Sequence, residues 1–126
     1  EPLVNSFMKQ AKQREFHEMI INQMIPLNNQ CIEKILDGDI IHFFESLKEL
    51  SELQFRYFRE MIPENFLQLW QQGLEKDDYY LKLCGSGGGG FLLGFTRDYK
   101  KADVFFKKSG QEIIPVFKNS KFKTSG

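Results

Sequence analysis

The 126 residues balance 17 Lys plus Arg against 17 Asp plus Glu, so no global field draws the chain to nucleic acid or to an anionic membrane surface. Thirteen Phe, four Tyr and one Trp supply the large apolar surfaces of one globular domain, at about 1.5–3 kcal/mol for each fully buried large side chain. No run approaches the roughly 20 apolar residues of a membrane helix, and the stretch from Glu1 to Gln10 has no signal-peptide core.

From Arg14 to Leu36, apolar residues fall at Phe16, Ile20, Met24, Leu27, Cys31 and Ile35, steps of four and three that predict one helix face. Pro26 lacks a backbone donor and is expected to kink this rod or split it in two. Gly38 suits the position just past a helix end, and Asp39 suits the N-cap of the next helix. That second helix, Ile40 to Glu60, is expected to bury Phe43, Phe44, Leu47, Leu50, Phe58 and, at its edge, Met61, with Glu45, Lys48, Glu49 and Glu52 on the solvated face. Pro63 fits the first position of a third helix over Glu64 to Gln72, carrying Phe66, Leu67, Leu69 and Trp70, and Gly73 reads as its stop. The Phe stripe and Trp70 read as core.

After the polar connector Lys76-Asp77-Asp78 come two strands, Tyr79 to Cys84 and Phe91 to Thr96, then a helix from Asp98 to Lys108 with Val104 and Phe105 inward and Gly110 at its end. Asp98 reads as the cap of that helix. Gln111 to Phe117 reads as a last strand, which Pro115 confines to an edge or a bulge. The order predicts an α+β domain with helices packed on one face of a small antiparallel sheet. One domain spans 1–126, with no internal repeat. The chain opens at Glu1 with no initiator Met, which suits a fragment.

Between the two strands stand Gly85-Ser86-Gly87-Gly88-Gly89-Gly90. Glycine reaches positive φ without a Cβ penalty, so such a turn can aim successive backbone N–H groups into one concavity and cradle phosphate oxygens. A plain hairpin turn is the competing reading. Gly85, Gly87 and Gly90 also fit G-x-G-x-x-G, but a dinucleotide fingerprint needs a helix directly after its glycines, and Phe91 to Thr96 reads as a strand. No Lys-Ser or Lys-Thr follows the last glycine, which excludes a Walker loop. A cloning linker has polar ends, whereas both flanks here are apolar.

Lys82-Leu83-Cys84-Gly85-Ser86-Gly87-Gly88-Gly89-Gly90, preceded by long amphipathic helices that contain Gly38-Asp39, resembles the C-terminal domain of the GHMP small-molecule kinases, whose members include galactokinase, homoserine kinase, mevalonate kinase and phosphomevalonate kinase. The glycine loop is similar to the third motif of that family, and Phe91-Leu92-Leu93 after it is closest to the mevalonate kinase and heptose phosphate kinase branches. The resemblance covers nearly the whole chain in order of elements, and about ten residues carry its specificity. It implies a ferredoxin-like fold, with Gly85, Ser86, Gly87, Gly88, Gly89 and Gly90 lying beside the ATP phosphates and the acceptor. It implies ATP and Mg²⁺ as cofactors, a small alcohol or sugar as acceptor, and an N-terminal kinase domain as partner. The main nucleotide loop of the family and its catalytic Asp and Lys belong to that N-terminal domain and have no counterpart here, so no catalytic residue is assigned and the chain alone is not expected to transfer phosphate.

Lys82 and Arg97 flank the strands and are candidate contacts for an anionic substrate, against the alternative of solvated strand residues. Cys84 precedes oriented N–H groups that lower a thiol pKa, yet no His is near it in sequence and an apolar strand favours inert packing. Cys31 and Cys84 lie in different elements; thiols in a reducing cytoplasm are expected, with one disulfide as the alternative. His17 and His42 have no partners at metal-ligand spacing, so no metal site is expected. A reading from another class remains: a non-catalytic α+β module that binds a small anion or a protein through its hairpin loop or helical face.

Overall fold

The computed structural model describes residues 2–84 and 91–111, with side chains from residue 9 onward except at 91. The chain divides into two compact units, Glu1–Tyr57 and Phe58–Gly126, each taken by itself below. It is α+β and mostly helical; among the described residues the sheet is two-stranded. No described helix is long and apolar enough to cross a membrane.

The first unit is a helical hairpin. Helix α1, Pro2–Met19, passes through a π-helical turn, Ile20–Met24, into α2, Ile25–Leu36. The helix therefore begins well before Arg14: Lys9 to Glu15 are exposed and carry no apolar stripe, but Lys, Gln, Ala, Arg and Glu are strong helix formers. In place of a kink or split at Pro26 itself, the rod is divided by the π-helical turn that ends at Met24, and the backbone stays helical through it. Met24 and Ile25 stay in the right-handed helical region, Pro26 takes an opening position of α2, and the Ile25 N–H donates to the Ile20 carbonyl. Pro26 offers no N–H and its ring crowds the carbonyl four residues back; the wider turn just upstream accommodates it without ending the helix.

Gly38 and Asp39 act as expected. Gly38 has φ +74°, its N–H donates to Ile35 O at 3.2 Å, and Asp39 N–H donates to Lys34 O at 2.9 Å. These two bonds satisfy the last carbonyls of α2 through a left-handed residue. Asp39 Oδ1 then accepts from His42 N–H at 3.2 Å, which opens α3, Ile40–Tyr57. Helix α3 packs on α2 and buries Phe43, Phe44, Leu47, Leu50 and Leu53, the Phe43 and Phe44 rings meeting edge to face at 5.3 Å. Cys31 of α2 is buried too. Ser46 Oγ donates to Gln30 Oε1 at 3.4 Å across the pair.

Helix α3 stops at Tyr57, short of the expected Glu60. Pro63 disfavours a helical residue before it, and Ile62 is indeed extended (φ −83°, ψ 126°), so the chain has already left the α-helix for a 3₁₀ turn at Arg59–Met61. Met61 consequently stays 51% exposed instead of joining the core.

In the second unit, Pro63 sits at the N-cap of α4, Glu64–Lys76, one position earlier than expected, and its carbonyl accepts from Phe66 N–H at 2.8 Å. Leu69 and Trp70 are buried. Gly73 does not stop this helix. It lies in the interior of α4, where an added Cβ would come within 2.6 Å of both the Tyr79 ring and the Tyr79 carbonyl oxygen. The stop falls at Asp77, left-handed at φ +58°, whose N–H donates to Gly73 O at 2.9 Å.

Strand β1, Tyr80–Cys84, packs against α4 and pairs antiparallel with β2, Phe91–Phe95, in the register Tyr80↔Phe95 through Cys84↔Phe91. Helix α5, Tyr99–Lys108, is capped as expected by Asp98, whose Oδ1 accepts from Lys101 N–H at 3.1 Å. Its inward face differs from expectation: Ala102 and Phe106 are buried, Phe105 is half-buried and Val104 is 54% exposed. Residues 102 and 106 stand one turn apart and 104 lies on the far side. Gly110 ends the helix at φ +78°, with Gln111 N–H donating to Phe106 O at 2.9 Å. Gln111 itself is outside any strand, and the rest of the expected strand to Phe117 lies outside the described residues.

Candidate functional site

The candidate site is the hairpin of the second unit, and its base is built from six contacts. Tyr79, directly before β1, packs its ring against Phe106 at 4.9 Å and Phe105 at 5.8 Å. Its hydroxyl donates to Leu69 O at 2.6 Å, and the absent side chain of Gly73 leaves room for the ring and main chain. The Asp78 carbonyl accepts from Thr96 Oγ1 at 2.8 Å while its carboxylate pairs with Lys101 Nζ at 3.0 Å. Tyr80 hydroxyl donates to Asp77 Oδ1 at 2.6 Å. Together these fix both strands at their Tyr80 and Phe95 ends against α4 and α5. Burial raises the Tyr79 phenol well above the usual tyrosine range, with the nearby Asp78 charge adding to the effect.

At the opposite end Cys84 pairs with Phe91. Gly85, Ser86, Gly87, Gly88, Gly89 and Gly90 connect these paired positions and lie outside the described residues. Because β2 follows, the glycines are not the strand-to-helix turn that a dinucleotide fingerprint requires. Because the flanks pair with each other, they are not the ends of a spacer between finished domains.

The hairpin keeps the two candidate anion contacts apart. Lys82 lies in β1 opposite Leu93, half-buried, two residues from the glycine end. Arg97 is exposed and lies beyond Phe95, at the other end. Four strand steps separate those ends, about 13 Å at roughly 3.3 Å per residue. Lys82 is therefore the candidate that stands near the glycine run.

Cys84 is half-buried at the last position of β1, and neither it nor Cys31 forms a disulfide. His42 Nδ1 lies 2.7 Å from Asp39 Oδ2 on the surface of the first unit. The His42 amide bond is the leading cause that holds the Asp39 carboxyl below its ordinary value. Among the described residues no three His, Cys, Asp or Glu gather as metal ligands.

Sequence reasoning missed the anchoring of the hairpin by Gly73, Tyr79, Asp78, Thr96 and Lys101. One signal was present: a glycine on the apolar side of an amphipathic segment marks close approach as readily as a stop. The pairing of Asp78 with Lys101 spans 23 residues and leaves no local trace.

No family model matches this chain, and no curated protein or solved structure is similar to it at a significant level.

Proposed function

We propose that this chain is the C-terminal domain of an ATP-dependent GHMP-type small-molecule kinase, nearest the mevalonate kinase branch. Its completed fold is ferredoxin-like, its compartment is a reducing cytoplasm in which Cys31 and Cys84 stay thiols, and its partner is an N-terminal kinase domain. One observation carries this reading: the glycine run joins the paired ends of two antiparallel strands, Cys84↔Phe91. A run so bracketed supplies backbone donors between the two strands, and by its sequence Ser86 is the only residue in it with a side chain larger than hydrogen.

Phosphoryl transfer needs little covalent chemistry from the protein and depends on positioning and on stabilising charge at the transferring oxygens. The acceptor hydroxyl oxygen forms a bond to the γ-phosphorus as the bond to the β–γ bridging oxygen breaks; ADP leaves, and the hydroxyl proton passes to the catalytic Asp that the resemblance places in the N-terminal domain. In this reading the N–H groups from Gly85 to Gly90, with the Ser86 hydroxyl, donate to those oxygens, and the Lys82 ammonium adds positive charge nearby. The described residues gather no metal-ligand set, so no step is assigned to Mg²⁺, which would neutralise phosphate charge from the nucleotide side. The acceptor is a small alcohol, with a sugar or heptose phosphate as the other class.

The test is coupled ADP release by the intact parent enzyme with mevalonate, and separately with sugar phosphates, as acceptor. Gly88→Val is expected to lower kcat by about 10²–10³, the scale of losing preorganised donors at a developing charge, with far-ultraviolet circular dichroism unchanged. Activity equal to wild type in that variant, or tight ATP binding by residues 1–126 alone, would overturn the assignment and favour an anion-binding module.

A further inference from the structure

No further inference is drawn: the strongest candidate, the exposed aliphatic ridge of Ile21, Ile25, Ile32 and Leu36 along the π-helical turn and α2, is an unpartnered apolar face, and nothing in the structure shows what covers it.

Discussion

Gly73 and Tyr79 stand so close that an added Cβ on the glycine would collide with the tyrosine. Gly73→Ala would raise helix propensity by roughly 1 kcal/mol, but its methyl would fall 2.6 Å from a backbone carbonyl oxygen that cannot rotate away. Overpacking of that kind costs about 1–3 kcal/mol, so the expected net result is a lower thermal midpoint, read by calorimetry. Tyr79→Phe removes the bond to Leu69 O and is expected to cost about 1 kcal/mol. Its pH dependence has a definite sign. The folded phenol ionises above its unfolded value of 10.0, so the stability it contributes is fully present below pH 10 and is lost as pH rises beyond it. Urea titrations at pH 8 and above 10 should show a steeper alkaline decline in wild type than in Tyr79→Phe. Asp39 behaves oppositely. Its carboxyl ionises below the ordinary 3.8, so its contribution is present above that pH and is lost as pH falls through the lowered value; Asp39→Asn should flatten the acid limb of the same titration.

Among the elements, those governed by neighbouring residues were legible in the sequence. Gly38 with Asp39, and Asp98 with Gly110, close helix ends through bonds spanning a few residues, and those residue types announce such bonds. Asp98→Ala is expected to cost about 1 kcal/mol and to fray the first turn of α5, visible as faster amide exchange at Lys101. The pairing of Tyr80–Cys84 with Phe91–Phe95 was equally readable, from two apolar runs across a glycine turn. Distant partners obscured the rest. Val104 looked inward from its apolar character, but Tyr79 selects Phe106 and Phe105. Gly73 looked like punctuation because its neighbour Tyr79 arrives only after the chain has turned at Asp77. Pro26 looked like a break because periodicity alone cannot register a turn of a different pitch.

For the whole molecule, the glycine run was visible at once, whereas its chemistry was not, since the proposed reaction needs groups that belong to another domain. Structure and function of the run can be separated by replacing Gly85–Gly90 with Asn-Gly, a two-residue connection that suits antiparallel strands. Residues 58–111 are expected to keep their amide-exchange protection, because the hairpin is anchored at its other end by Asp78, Thr96 and Lys101. On the proposed function, phosphoryl transfer by the full kinase is expected to vanish. Loss of protection throughout that segment would show that the run serves folding, and retained transfer would remove it from the reaction.

The π-helical turn at Ile20–Met24 has a consequence for how this protein tolerates change in length. A π-helical turn takes one residue more per turn than α-helix, which advances by about 100° per residue, so deleting one residue there and restoring regular pitch would leave the upstream face in phase. Met19, buried just before the turn, would keep its place, whereas imposing regular pitch with every residue retained would swing it toward water by roughly 100°. A homologue shorter by one residue and without the wide turn should therefore keep its apolar stripe in line across the deletion, and one of equal length without it should show the stripe displaced before residue 20.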